Sequence, residues 1–282
     1  MRIKLEKRQT PSRLMLVATP VASVLLTMLI GVVVFDLIGI NGQKAVVDIF
    51  LTPLLASYKW QDVAVKAAPL IIIALGLSVG NRAQIWNIGA EGQYVIGALC
   101  AAGVGIAAGT AGGPLVITAM VLAGIIGGAA WAAGPAWLKT RFDVNEILST
   151  LMLTYVSYQV LGYLVGGPWK DPNGRNFPAT APLAENQTLP ILFPGSTVHL
   201  GVLIAVLLPF LFWLVMSRSV FGFQIRVVGS APHAARHGGF DAKQTVWAAL
   251  LIGGGMAGLA GSLEFTGALG AINLGFPSGY GF

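Results

Sequence analysis

Long apolar runs follow one another along this chain with little between them, and that succession limits what it can fold into. A helix needs about 20 mostly apolar residues to cross a bilayer. Runs of this kind fall at 14–35, 63–80, 94–109, 114–138, 147–166, 200–216 and 245–263. Of the 282 residues, 55% are hydrophobic and only 10% charged, whereas soluble domains carry about 25% charged residues. Mean hydropathy is +0.76. Too little polar surface exists for a water-soluble or a disordered chain. The pattern predicts an all-α integral membrane protein, a polytopic helical bundle of about seven to eight spans. It is read as a single transmembrane domain over 1–282.

The ends of the runs set the orientation. The run at 14–35 is too long for the apolar core of a signal peptide and no A-x-A site follows it, so it reads as a retained first span. A shorter piece at 46–57 contains Asp48 and Pro53 and reads as an interfacial or re-entrant helix. The net charge of +6 and pI near 9.6 do not form a basic face, which argues against nucleic acid. With the N-terminus cytoplasmic, inside segments carry Arg2, Lys4, Lys7, Arg8, Arg13, Arg82, Lys139, Arg141, Arg218, Arg226, Arg236 and Lys243. Outside or near it lie Lys44, Lys59, Lys66, Lys170 and Arg175. Twelve against five favours this topology over its inverse. Two loops are long: an outer one at 167–199, rich in Pro and Asn and read as an ordered cap, and an inner one at 217–244, read as carrying a short helix on the membrane surface.

Polar residues at membrane depth are the functional candidates. The segment NRAQIWNIGAEGQ at 81–93 sits between two spans and reads as a broken helix near Asn81–Gln93. Irregular polar backbone is tolerated at that depth only when buried in protein or lining a cavity. Asn87, Glu91 and Gln93 are therefore candidates for a substrate path, Glu91 being an intramembrane carboxylate. Its alternative role is to cap the helix it begins. Asn145 reads as an N-cap and Glu146 as a first-turn acid, or the two as the start of a path continued by Ser149, Thr150 and Thr154 at helical spacing. Gly124 with Gly128, and Gly254 with Gly258, let helices approach closely. Cys100 reads as a small buried hydrophobe.

Other signals carry no chemistry. Gly253-x-Gly255-x-x-Gly258 lies inside an apolar span with no strand before it. His233 and His237 have no acidic or cysteine neighbour, so no metal site is assigned. The sequon at Asn186 has no secretory context. The absence of any Gly-Lys dipeptide rules out a Walker A loop. No cofactor is expected.

Several stretches, in order, resemble one family: WNIGAEGQ at 86–93, NEILSTLML at 145–153, GPWKDP at 167–172, GFQIRVVGSAPHAARHGG at 222–239, GLAGSLE at 258–264 and GYGF at 279–282. From about Val63 onward the chain is similar to the permease subunits of bacterial ABC importers for nucleosides and simple sugars, within the ribose and branched-chain amino-acid permease group. The resemblance implies a multi-pass subunit of the bacterial cytoplasmic (inner) membrane with no catalytic residue. Its implied partners are a second permease (a heterodimer), a cytoplasmic ABC ATPase, an extracytoplasmic substrate-binding protein and membrane lipid. It implies a broken helix near the substrate path, which agrees with the reading of the polar residues, so the candidates for that path are Asn87, Glu91, Gln93, Asn145, Glu146, Thr150 and Glu264. It further implies that 217–244 couples to the ATPase through Arg226, Gly229, Pro232, Ala235 and Arg236, the turn Ala234–Arg236 forming a short docking helix. The family usually has Asn where this chain has Thr154 and Asn where it has Ala231. Family members also continue past the GYGF motif, so the chain is expected to be C-terminally truncated, with the Gly-rich, uncharged residues 265–282 held only by packing against earlier spans or the partner permease and the least protected part of the bundle.

Nucleosides are the first expectation for substrate and simple sugars the second. A proton-coupled secondary transporter with Glu91 or Glu264 as carrier is the rival from another class, although no inverted repeat is visible in the hydropathy. A membrane enzyme lacks clustered His, Cys or paired carboxylates.

Overall fold

The structure is a computed structural model and describes residues 12–56, 59–174 and 176–282. The cations Arg2, Lys4, Lys7, Arg8 and Arg175, and Ser57 at the end of the expected interfacial piece, lie outside the described residues. Among those described, every regular element is a helix, joined only by isolated bridges in loops. Contacts divide the chain after Val63 into two units.

The first unit begins with α1 (Arg13–Leu37). A turn returns the chain so that Gly42 donates its N–H to Asp36 Oδ1 at 2.7 Å. Short helices α2 (Gly42–Val46) and α3 (Thr52–Leu55) flank a π-helical turn at Val47–Leu51. This stretch is not among the seven helices long and apolar enough to cross a membrane.

The second unit contains most of α4 (Trp60–Arg82), then α5 (Ala90–Ala108), α6 (Pro114–Phe142), α7 (Glu146–Gly166), α8 (Leu200–Arg218) and α11 (Ala242–Glu264). All six are longer than the apolar runs, because polar residues extend them at one or both ends, as Glu91 and Gln93 do in α5 and Lys139 and Arg141 in α6. Asn145 does cap α7, accepting from the Ile147 N–H at 2.9 Å. The inner loop folds as two helices instead of one, α9 (Val220–Ser230) and α10 (Pro232–His237). Pro232 stands in the first turn of α10, where its missing N–H costs nothing, and it separates the two.

Three helices cross closely at glycine. A Cβ on Gly258 of α11 would lie 2.1 Å from the Gly124 carbonyl oxygen of α6, and one on Gly128 would lie 2.2 Å from the Gly254 carbonyl oxygen. A Cβ on Gly97 of α5 would lie 2.3 Å from the Gly258 Cα. Lipid offers no hydrophobic drive for helices to associate, so close backbone approach supplies the attraction.

The outer loop is an ordered cap. Gln187 is buried and its amide donates to the carbonyls of Gly109 at 2.9 Å and Ala111 at 2.7 Å, satisfying acceptors just beyond the end of α5. The cap joins the stretch after α11 through Thr180 N–H to Ile272 O at 2.9 Å and Leu189 N–H to Thr266 O at 2.9 Å. His199 closes it as the N-cap of α8: its Nδ1 accepts from the Gly201 N–H at 3.2 Å. Burial lowers its pKa below the usual 6.5.

Two outcomes follow. Gly258→Leu should lower the melting temperature, with an overpacking cost of about 1–3 kcal/mol, while Gly166→Ala, which meets nothing within 4 Å, should not; thermal unfolding in detergent reads both. A folded His199 that resists protonation means the unfolded state binds more protons below pH 6.5, so cap stability should fall as pH drops through 6.5. Hydrogen exchange of the cap between pH 7.5 and 5.5 checks this, and His199→Asn should flatten the dependence.

Candidate functional site

The connection from α4 to α5 turns back into the bundle. Gln84 adopts a left-handed conformation (φ 59°) that reverses the chain just after Arg82. The following residues rise until the Asn87 amide stands against Gly253, midway along α11. Three hydrogen bonds hold this irregular segment. Asn87 Nδ2 donates to Gln93 Oε1 at 2.8 Å, Gln93 Nε2 donates to Asn87 Oδ1 at 3.2 Å, and the Gly89 N–H also donates to Asn87 Oδ1, at 3.1 Å. Asn87 and Gln93 are both buried. Their reciprocal clasp satisfies polar groups that would each cost several kcal/mol if left bare in hydrocarbon, on the order expected for a buried amide.

Glu91, fully buried in the first turn of α5, does not cap its own helix through its side chain. Its two oxygens accept from a distant segment: Oε1 from the Gly279 N–H at 2.9 Å and Oε2 from the Gly281 N–H at 2.7 Å. A π-helical turn, Phe265–Leu269, ends α11, and the chain beyond it re-enters the bundle. Residues there pack on α5: the Phe276 ring stacks on Tyr94 at 5.0 Å between centroids and Tyr280 meets it edge-on at 5.9 Å. The stretch 265–282 is thus held by more than the packing expected of it: Ile272 and Phe276 are buried, and hydrogen bonds to Glu91 and to the outer cap fasten its backbone.

Glu264, at the end of α11, is also buried and pairs with Lys66 Nζ of α4 at 3.2 Å. The same ammonium lies 5.9 Å from the Tyr280 ring centroid. One Glu264 oxygen, Oε2, and the Tyr94 hydroxyl are buried without a hydrogen-bond partner among the described residues. Across from Glu91, Thr150, Thr154 and Ser157 form a buried hydroxyl stripe on α7. Gly89 and Gly92 pack directly on Thr150 and Thr154, so α5 lies flush against that stripe.

The structure therefore gathers Asn87, Glu91, Gln93, Thr150 and Glu264 into one polar interior. Asn145 and Glu146 stand apart from it: Asn145 is exposed, and Glu146 pairs with Lys139 at 3.4 Å at the end of the bundle. Tyr94, Ser157 and Phe276 belong to the interior, and the exposed Lys66 and half-buried Tyr280 border it; none of the five is among the candidates. Lys66 had a readable signal, a cation inside the run 63–80. The others had none, because their partners lie far away in sequence.

The α9–α10 pair sorts the second group of candidates. Ala235 is buried, and Gly229 packs against the Arg82 carbonyl, where a Cβ would lie 1.9 Å away. Pro232 and Arg236 are exposed. Arg226 is exposed too, but its guanidinium donates to the Met216 carbonyl at the end of α8.

The Glu91 contact makes one outcome specific. Glu91→Gln replaces an acceptor oxygen with a donor opposite a backbone N–H. Hydrogen bonds to a charged acceptor are worth about 1.5–3 kcal/mol, so exchange protection of Gly279 and Gly281 should fall by about tenfold or more. Hydrogen exchange on the purified chain measures it.

Comparison with known proteins places this architecture. Residues 60–282 match the family model described as branched-chain amino acid transport system / permease component. A glucose ABC transporter permease protein of Haloferax volcanii is 34% identical over 99% of this chain and 76% of its own length. A guanosine ABC transporter permease protein of Bacillus subtilis is 31% identical over 72% of this chain and 58% of its own length. A nucleoside ABC transporter permease protein of Lactococcus lactis is 23% identical over 87% of this chain and 69% of its own length. No solved structure matches the chain. With seven span-length helices among its described residues and its match over 60–282, the chain belongs to the branched-chain amino acid transport system permease family and is a multi-pass ABC transporter permease component, a transport subunit and not an enzyme.

Proposed function

We propose that this permease component imports nucleosides, as one permease domain working with a second permease, a cytoplasmic ABC ATPase and an extracytoplasmic binding protein. The observation that carries the reading is the polar interior between α5, α7 and α11. The amides of Asn87 and Gln93, now clasped to each other, the hydroxyls of Thr150, Thr154 and Ser157, which donate to their own helix and keep oxygens free to accept, and the rings of Tyr94, Phe276 and Tyr280 would supply both hydrogen bonding and stacking once the clasp opens. A nucleoside, with a flat base and a hydroxylated sugar, requires both. The guanosine and nucleoside permeases among its relatives support the same choice.

Alternating access then means that ATP binding by the partner reshapes this interior between the two permeases. Glu91 holds the re-entrant segment 276–282 in place, and Lys66 with Glu264 holds the end of α11. The N-terminus is placed in the cytoplasm by the excess of cations on that side. In that orientation α9 and α10 face the ATPase, with Arg226, Pro232 and Arg236 all exposed. Asn145 and Glu146 lie at the same end as helix-capping and ion-pairing groups. Simple sugars form the second reading, favoured by the similarity to the glucose permease.

Reconstituted vesicles separate these readings. Uptake of labelled guanosine or uridine should require ATP and the partner ATPase, and glucose uptake in their place would favour the sugar reading. Uptake without ATP that a protonophore abolishes would instead establish a proton-coupled carrier. Charge reversal at Arg236, read by co-purification, should lose the ATPase while leaving the spans folded; retained stoichiometric ATPase would remove α10 from the coupling surface.

A further inference from the structure

A groove of about 600 Å³ opens between α4, α8 and the start of α9, and none of the residues gathered in the polar interior lines it. Its walls are apolar, with Leu75 from α4 and Phe212, Trp213 and Met216 from α8. Two arginines close it at one end, Arg82 on the last turn of α4 and Arg226 on α9. Among the described residues neither has a carboxylate within ion-pairing distance. Arg226 spends one N–H on the Met216 carbonyl, which orients its guanidinium and leaves further donors directed elsewhere. Among the described residues Arg82 has no side-chain hydrogen bond, so the two cations share a cavity with no neutralising anion among those residues.

Their position in the membrane specifies the missing charge. Arg82 and Arg218 mark the C-terminal ends of α4 and α8, so the arginine end of the groove lies where two spans leave the bilayer at the same face. Trp213 is 63% exposed and Phe210, one turn back, is 69% exposed; a surface tryptophan near a span end is typical of the headgroup level. The groove thus presents a cationic end at headgroup depth and an apolar wall at acyl-chain depth. Basic pockets between spans at this level fit an anionic headgroup, and a paired arginine fork fits the oxygens of a phosphate.

We propose that this groove is a binding site for an anionic phospholipid. Arg82 and Arg226 hold its phosphate, and one acyl chain lies along Leu75, Phe212 and Trp213. A zwitterionic lipid presents the same phosphate but brings its own ammonium to the two arginines, so it binds more weakly. The site ties the ends of α4 and α8 to the root of α9, independently of which substrate is carried.

Native mass spectrometry on the full chain, released from vesicles of equimolar phosphatidylglycerol and phosphatidylcholine, tests this. The expected result is one retained phosphatidylglycerol, and a loss of about tenfold or more in its retention in Arg82→Gln/Arg226→Gln, as two surface cations warrant. Arg82→Lys/Arg226→Lys should keep the preference in part. Arg82→Gln alone, which leaves the Met216 contact intact, covers the case in which the double variant fails to fold. Equal retention of both lipids by the wild type, or unchanged phosphatidylglycerol in Arg82→Gln and in the double variant, would overturn the proposal. Displacement of the lipid by millimolar inorganic phosphate would make it a free-anion site. Loss of a co-purifying ATPase from the double variant with lipid retained would assign the arginines to coupling instead.

Discussion

Where α5, α6 and α11 cross, the absence of side chains at Gly97, Gly124, Gly128, Gly254 and Gly258 lets backbones meet almost atom to atom. In lipid no water is expelled when helices associate, so dispersion and weak contacts between closely set backbones must hold the bundle together. The crossing also fixes the axial offset of the helices. With Gly97 against Gly258, the first turn of α5 is placed beside the far half of α11, so Tyr94 packs on Gly261. The polar interior follows from that placement.

Within the interior, each expensive polar group is answered by another from a different element. The Asn87–Gln93 clasp spans the irregular approach to α5 and its first turns, Glu91 receives two amides from the re-entrant segment, and Glu264 takes the Lys66 ammonium. A carboxylate that satisfies backbone N–H groups, rather than a fixed cation, is a reversible fastening. It holds an irregular segment at membrane depth without a helix or a sheet, and it releases if either partner moves. Among the described residues the Tyr94 hydroxyl and Glu264 Oε2 have no hydrogen-bond partner, and the proposed path for a polar solute runs beside them.

Much of this was legible in the sequence because membrane constraints are local. Span length follows from apolar runs, the α7 N-cap from Asn145, and the close crossings from glycines spaced four apart. The irregular polar segment at 81–93 also declared itself, since hydrocarbon tolerates such backbone only inside protein. What was not legible depends on long-range contact. Nothing near Glu91 announces that its carboxylate is reserved for Gly279 and Gly281, nor near Tyr94 that Phe276 stacks on it. Lys66 was counted among outer cations because its partner Glu264 stands 198 residues away. The division of the inner loop into α9 and α10 was within reach, because Pro232 marks a first helical turn, yet the run of small residues after it reads equally well as one helix with what precedes it.

The central claim is that this interior is the transport path, and Ser157 tests it most directly. It is fully buried on α7, facing Gly92 of α5, and the sole native cysteine, Cys100, is replaced by alanine to leave Ser157→Cys as the single thiol. In vesicles containing the assembled transporter, a membrane-impermeant thiol reagent should leave this cysteine unmodified at rest. Labelling should rise when ATP drives turnover, and added nucleoside should suppress it. A cysteine that stays inert through active uptake, or one that labels equally with and without ATP and substrate, would contradict the account.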